Sequence, residues 1–290
     1  MKILTLNTHS YLETDFQKKL GSIILAILRE KFDIIAFQEV NQRCDSKPAR
    51  KELLEYTGFV AADESVITKD NFALHVVRKL RKLGLNYNWS WVNNHIGYDI
   101  YDEGVALLSL HDVIGNDSFF ISKSHDPKNY KTRKVLGLKV LDNTTNKPAW
   151  FYSSHMGWWN DIDDPFKNQW QEYQKNLSCN VSENVYIMGD FNSPANVKFE
   201  GYDLITKDGN WFDTYTLALD KDLGNTVLSS IDGWNQDDIK SMRIDYIFKN
   251  NNKPVYQSKT IFNGTNYPIV SDHFGLYINE NKSLGGQNES

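Results

Sequence analysis

The sequence predicts an α/β sandwich, with two β-sheets packed face to face and helices on the outside. Three observations carry that prediction. Many short apolar or alternating segments recur along the chain, few segments show helical periodicity, and no repeat or Pro/Gly/Ser linker divides the 290 residues. One domain is expected over residues 1–278, followed by a polar tail at 279–290.

Lys2–Asn7 alternates apolar and polar side chains and is the first strand. Phe16, Leu20, Ile23, Ile24, Ile27 and Leu28 recur at helical spacing, which predicts an amphipathic helix over Asp15–Glu30. Asp33–Val40 is a short apolar run ending in Gln38-Glu39 and suits a buried strand, whereas the polar, punctuated Asn41–Asp70 is expected as a long loop. Ala73, Leu74, Val77 and Leu80 predict a second helix with Gly84 as its C-terminal cap. Strands are then expected at Trp89–Val92, Gly104–Leu110, Ser118–Ser122, Lys134–Leu141 and Ala149–His155. Pro165 opens a third helix, on which Phe166, Trp170, Tyr173 and Leu177 share one face. Val185–Gly189, Ile244–Phe248, Thr260–Phe262 and Phe274–Ile278 complete the strands.

Composition narrows the function. Apolar residues make up 40% of the chain, charged residues 24% and aromatic residues 13%, which excludes extended disorder and a collagen-like chain. The longest apolar run, Ile23–Leu28, is far short of the ~18–20 residues of a membrane span. The opening stretch turns polar by Asn7 and lacks the apolar core of an export signal. Cys44 and Cys179 stand outside any metal-ligand or redox spacing and are expected to be reduced, in a cytosol. With 32 basic against 37 acidic residues the net charge is −5, so no basic excess is available to displace counterions from nucleic acid. The basic stretches Arg78–Lys82 and Lys128–Lys134 read as solvated faces. Eight tryptophans and fifteen tyrosines exceed what a core requires, so some are expected to line a ligand surface.

Five strand ends concentrate Asn, Asp, Glu and His: Leu6-Asn7, Gln38-Glu39, Ser154-His155, Gly189-Asp190-Phe191-Asn192 and Ser271-Asp272-His273. Tyr101-Asp102-Glu103-Gly104 precedes a strand, and Arg243-Ile244-Asp245-Tyr246 enters another. Singly, each has an ordinary reading, such as a capped turn at Asn7, a solvent-facing Glu39, a core imidazole at His155 or an Asx turn at Asp190. Together they sit where strand ends share a rim, so side chains from distant parts of the sequence converge. Phosphoester hydrolysis needs such a set: charge neutralisation on phosphoryl oxygens, an activated water and help for the leaving oxygen. A hard cation such as Mg²⁺ takes oxygen ligands, and Glu39, Asp272 and the amide of Asn7 supply them. Histidines beside carboxylates serve as acid, base or cationic phosphate contact near neutral pH. No zinc-type cluster and no Gly-rich phosphate loop is present.

The ordered set of Asn7, Gln38-Glu39, Tyr-Asp-Glu-Gly at 101–104, His155, Gly-Asp-Phe-Asn at 189–192, Ile-Asp-Tyr at 244–246 and Ser-Asp-His at 271–273 resembles the endonuclease/exonuclease/phosphatase superfamily. That superfamily includes pancreatic-type deoxyribonucleases, abasic-site endonucleases, inositol-polyphosphate 5-phosphatases and bacterial sphingomyelinases. The resemblance spans residues 1–278 and implies a four-layered α/β sandwich with a Mg²⁺-dependent site, Mn²⁺ being the alternative ion, at the sheet rim. Carried over by position, it makes Glu39 the principal metal ligand, with Asn7 and Asp272 close to the ion. Asp190 and Asn192 then position the attacking water and steady the phosphoryl group. The resemblance pairs His273 with Asp245 and His155 with Glu103, and leaves open whether Asp190 or His273 is the base. Relatives often carry Ser-Arg after the strand that follows the Glu-Gly step. Here Leu110 follows Ser109, which moves the expected phosphate contact to Arg133.

Loops select the substrate on a shared fold. Those at 93–104, 156–164 and 232–238 hold Tyr98, Trp158, Trp159 and Trp234 among Asn and Asp side chains, a composition suited to stacking a sugar ring and binding its hydroxyls. Tyr-Asp-Ile-Tyr-Asp-Glu-Gly and His-Met-Gly-Trp-Trp-Asn are similar to the bacterial cytosolic branch that hydrolyses maltose 6'-phosphate. The expectation is therefore a cytoplasmic, Mg²⁺-dependent phosphatase of a phosphorylated sugar. The alternatives are a nuclease acting on DNA or RNA, which wants a basic groove, and a sphingomyelinase-type phosphodiesterase, which wants an export signal and an apolar hairpin.

Overall fold

Helical stripes and alternating segments fold into elements close to those expected, and the departures have identifiable causes. The computed structural model describes residues 1–143, 145–177, 183–228 and 241–281. β1 (Lys2–Asn7) leads into α1 (Phe16–Glu30), β2 (Ile34–Arg43), α2 (Lys51–Tyr56) and α3 (Phe72–Lys82). The strands β3 (Asn88–Gly97), β4 (Tyr101–Ser109), β5 (Asp112–Phe120), β6 (Lys134–Asp142) and β7 (Lys147–His155) follow. After α4 (Phe166–Leu177) come β8 (Asn184–Asp190), α5 (Gly201–Thr206), β9 (Phe212–Asp213), α6 (Thr214–Leu217) and β10 (Ala218–Lys221). β11 (Asp245–Lys249), β12 (Val255–Ile261) and β13 (Gly275–Asn279) complete the sheets.

One sheet has the order β10-β12-β13-β1-β2-β4-β3 and the other β5-β6-β7-β8-β11-β9. The pairs β1–β2, β7–β8 and β10–β12 are parallel, and the pairs β2–β4, β8–β11 and β1–β13 are antiparallel. Ile34, Ala36, Val105 and Leu107 of the first sheet meet Leu136, Leu138, Phe151, Met188 and Ile247 of the second in the central core. On the outer face of the first sheet, Leu20, Ile23 and Ile27 of α1 and Leu74, Val77 and Leu80 of α3 bury against Leu4, Leu6, Ile35 and Phe37. On the outer face of the second, the Phe166, Trp170, Tyr173 and Leu177 stripe of α4 covers Tyr152, Ile187 and Phe248. Burying each of these large side chains contributes about 1.5–3 kcal/mol, so the four layers of the sandwich hold one another in place.

α3 begins where the Asn71 side chain accepts a hydrogen bond from the Leu74 amide at 3.2 Å, and it ends just before Gly84. Its last turn carries Lys79, Arg81 and Lys82, so that basic stretch complements the helix dipole on a solvated face. The expected 41–70 loop contains α2 and the end of β2. β5 begins at Asp112, earlier than expected, because an edge strand facing water needs little apolar patterning. The one- to two-turn helices α5 and α6 and the short β9 and β10 are too brief to leave a period in the sequence. No helix among the described residues is long and apolar enough to cross a membrane. Cys44 is exposed and unpaired, and burial of its thiol together with the nearby Asp102 pushes its pKa up to about 11. Cys179, Trp234 and the tail beyond Asn281 lie outside the described residues.

Candidate active site

Strand register brings the acids and imidazoles together. β7 and β8 align His155 with Asp190, β8 and β11 align Asp190 with Asp245, and β1 and β2 align Asn7 with Gln38. Glu39 follows at a bulge in β2, where pairing with β4 jumps from Phe37 to Val40, and its φ is +51°. His9 and Asn192 have φ +45° and Tyr98 has φ +53°, so four side chains around one cavity stand on left-handed backbone. Gly189, with φ +140°, sits so close to β7 that a Cβ would lie 1.9 Å from the Ser154 carbonyl oxygen. Only glycine lets Asp190 end its strand beside His155.

Asp190 Oδ2 is the hub of the cluster. Asn7 Nδ2 donates to it at 3.1 Å and to Glu39 Oε1 at 2.8 Å. The Nε2 atoms of His155 and His273 each stand 3.7 Å from the same Asp190 oxygen. The Asn192 amide N–H donates to Asp190 Oδ1 at 2.8 Å, and its side-chain nitrogen lies 3.2 Å from His155 Nε2. His273 Nδ1 lies 2.9 Å from Asp245 Oδ2. Burial opposes charge on His273, but Asp245 and Asp190 outweigh it and hold the imidazole pKa well above its ordinary value. His155 is pushed well below its ordinary value by burial and by Arg133, His95 and His273. Burial and the charge on Asp245 raise Asp190.

A second cluster forms the facing wall. Arg133 is only 3% exposed, and its NH1 donates to the carbonyl oxygens of Tyr130 at 2.6 Å and Thr132 at 3.1 Å. It also lies 3.3 Å from His95 Nδ1. A guanidinium only donates, so Nδ1 accepts and the neutral ring carries its proton on Nε2, 3.5 Å from Glu103 Oε1. Burial and Arg133 depress the pKa of His95 to about 3. Glu103 is raised by burial, against the pull of Arg133 and His9. At the mouth, His9 Nδ1 lies 2.9 Å from Glu13 Oε1, which also accepts from the Asp272 amide at 3.1 Å.

A cavity of about 290 Å³ joins the two walls, with Glu39, Glu103, Asp190 and Asp272 among its lining residues. Arg133, His155, Asn192, His273, Trp158 and Tyr98 also reach it, while Asn7 and Asp245 lie behind. Three expectations are corrected. Glu103 pairs with His95 rather than His155, because a bulge in β3 between Asn93 and His95 turns His95 toward Glu103. Asn7 presents its amide nitrogen to the acids while its oxygen accepts from the His9 amide at 3.2 Å, so it braces Glu39 instead of offering an oxygen ligand. Trp159 is absent from the cavity lining and packs on Phe166, ring centroids 6.2 Å apart. Sequence reasoning missed His9, His95 and Tyr130. The Asn-Thr-His at 7–9 and Asn-Asn-His at 93–95 were the available signals.

The donor set fits a divalent cation. Among the described residues, four carboxylates line the cavity against one permanent cation, Arg133. Burial and the charges of Glu103 and Asp272 raise Glu39 well above the carboxylate range. A hard ion with oxygen ligands relieves that crowding. Two groups, His9–Glu13–Asp272 and the buried Asp190–Asp245–His273, bring their ligating atoms within 4.8 Å of one another.

A two-sheet sandwich with clustered acids, paired imidazoles and a buried arginine at one rim defines a phosphoester hydrolase. The sequence pattern of the Endonuclease/Exonuclease/phosphatase family matches residues 4–273, and the chain belongs to that family. A family protein from Leptotrichia buccalis is 34% identical, superposes with a TM-score of 0.84, and the match covers 97% of this chain and 100% of that one. A Bacteroides thetaiotaomicron mannosyl-6-phosphatase shares the fold at 16% identity and a TM-score of 0.66, over 96% and 98% of the two chains. The catalytic domain of human nocturnin does so at 15% identity and a TM-score of 0.58, over 96% and 92%. No curated protein sequence matches the chain.

Proposed function

We propose that residues 1–278 act as one catalytic unit, a Mg²⁺-dependent and Mn²⁺-competent phosphomonoesterase that removes phosphate from a phosphorylated sugar in the cytoplasm. The observation that carries this reading is a pair of buried donors. Arg133 Nε and Trp158 Nε1 both belong to residues lining the cavity, and neither has a hydrogen-bond partner among the described residues. Phosphoryl oxygens suit two such donors in an otherwise acidic cavity. Tyr98 and Tyr130, 57% and 56% exposed, stand at the same cavity and offer ring faces to a sugar. A polynucleotide would want a track of cations, and the described lining residues carry one permanent positive charge. The mannosyl-6-phosphatase shares this scaffold, so the fold is compatible with a hexose phosphate.

Glu39 and Asp272 would hold the metal, and Asn7 fixes the Glu39 carboxylate. The bound ion supplies charge neutralisation to the phosphoryl oxygens. Asp245 and Asp190 hold His273 toward its cationic form, which favours Asp190 over His273 as the base. Asp190 takes the proton from the attacking water as the water oxygen bonds to phosphorus and the bond from phosphorus to the sugar oxygen breaks. The departing oxygen takes a proton from solvent, while Asn192 and Asn7 fix the two Asp190 oxygens. The His273 cation and the Arg133 guanidinium meet the negative charge of the phosphoryl group. Phosphate release from maltose 6'-phosphate, glucose 6-phosphate and an aryl phosphate, beside plasmid DNA nicking and sphingomyelin hydrolysis, tests the reading. The disaccharide phosphate should have the highest kcat/KM. Equal turnover of the three monoesters, or nicking or lipid hydrolysis at comparable enzyme levels, overturns it.

A further inference from the structure

β7 and β8 begin, and β11 ends, at the end of the sandwich opposite His155, Asp190 and Asp245. A separate cavity of about 290 Å³ opens there, lined by Lys147, Lys249 and Lys253 together with Asn184, Asn251 and Glu280. Lys249 is the unusual member. It is only 2% exposed, yet its ammonium reaches no acceptor at hydrogen-bond distance among the described residues. Glu280 Oε1 stands 4.0 Å away and already accepts from the Tyr186 hydroxyl at 2.5 Å. The other Glu280 oxygen is 3.6 Å from the Met1 nitrogen. Asp142, also at this cavity, accepts from the Thr145 hydroxyl at 2.6 Å. Lys253 adds a repelling charge beside Lys249. Lys147 and Lys253 have no carboxylate in ion-pair range among the described residues.

The Lys249 side chain is almost wholly enclosed, its ammonium meets the cavity, and no described carboxylate lies within hydrogen-bond distance. A bound anion would therefore gain a charge that the protein leaves without a close partner. Three lysines against two engaged carboxylates also leave this end positive, in a chain whose net charge is −5. A phosphate presents oxygens on every side and suits ammonium groups arriving from separate segments, whereas a carboxylate presents two oxygens on one side. We propose that this cavity is a second, non-catalytic site for a phosphate-bearing small molecule, with its phosphate seated on Lys249 between Lys147 and Lys253.

Calorimetric titration in EDTA tests the site, because without metal the carboxylates of the catalytic cavity disfavour anions. Inorganic phosphate and glucose 6-phosphate are the probes. Tighter binding of the sugar phosphate assigns the site to an organic phosphate, and equal binding assigns it to free phosphate. Either affinity should fall about tenfold or more in Lys249→Met and in the exposed Lys253→Ala, from the ~1.5–3 kcal/mol of a charged hydrogen bond. Both variants should keep kcat/KM with Mg²⁺ within about twofold, since neither residue is near the reacting atoms. Tungstate soaked into crystals should give density beside Lys249. Wild-type affinity in both variants, no binding at all, or binding lost in Arg133→Met but kept in Lys249→Met overturns the proposal.

Discussion

His273 and His155 approach the same oxygen of Asp190 from the same distance, 3.7 Å, and are driven toward different protonation states, one cationic and one neutral. His273 has Asp245 behind it at 2.9 Å, and the two carboxylates outweigh the cost of burial. His155 has Arg133, His95 and the charged His273 as electrostatic neighbours, so burial wins and the ring stays neutral. Residue type and distance to the shared acid are identical. The groups on the far side of each ring decide its protonation, and through it the part each can play.

Glu39→Gln should break the comparison most completely, because Asn7 ties Asp190 to Glu39. We expect kcat/KM at low Mg²⁺ to fall by about 10³-fold, with partial recovery as the metal is raised. Near wild-type rates at low metal would refute the ligand assignment. The next effect sharpens the contrast between the two rings. Asp245→Ala and His273→Ala should each cost about 10²–10³-fold in kcat, with the double variant little worse than either single one. In the matching cycle of Glu103→Ala and His155→Ala, losses should multiply, since those residues are not paired. Barrier changes that add in the first cycle, or fail to add in the second, would reverse the assignment.

Trp158 and Trp159 repeat the lesson at smaller scale, as neighbours in sequence with different surroundings. Trp158→Ala should lower the ratio of variant to wild-type kcat/KM by about 10–100-fold for a disaccharide phosphate and for an aryl phosphate alike, because the Nε1 donor it removes serves the phosphoryl group that both carry. Trp159→Ala should lower Tm through lost packing on Phe166 and leave that ratio unchanged. The smallest effect concerns His95, whose folded pKa of about 3 lies below the ~6.5 of an unfolded histidine. Between those values the unfolded chain binds the extra proton. The stabilisation is therefore complete above pH 6.5 and declines by about 1.4 kcal/mol per unit as pH falls toward 3. Denaturant midpoints in EDTA at pH 7.5 and 5.5 should show a smaller acid loss in His95→Gln than in wild type. An equal loss would mean that His95 is not held neutral.

The sequence disclosed whatever carries a period or a strand end. The α1, α3 and α4 stripes and the central strands follow from 3.6- and 2-residue patterns, and the convergence of Asn7, Glu39, Asp190 and His273 from polar strand ends that share one rim. What stayed hidden depends on irregularity. The β3 bulge gives Glu103 to His95, and no pattern in Asn93-Asn94-His95 reveals which way the ring turns. Tyr130 reaches the cavity, beside the expected Arg133, from a loop whose path is fixed by turn hydrogen bonds such as Asn129 N–H to Asp126 O and Thr132 N–H to Asn129 O. The amide orientation of Asn7 depends on His9, a contact made only once the chain has turned.

The left-handed backbone at Glu39, His9 and Asn192 has an evolutionary consequence. Each non-glycine residue at such a φ costs about 1–3 kcal/mol, so the rim of the cavity is held against its local preference by the layers beneath. Glycine at position 39 would relieve that strain while deleting a ligand. A laboratory selection for heat resistance alone should therefore enrich changes at these positions and return sturdier proteins that have lost their chemistry. Selection that couples survival to phosphate release should instead leave the rim untouched and gather its stabilising changes in the helices and edge strands.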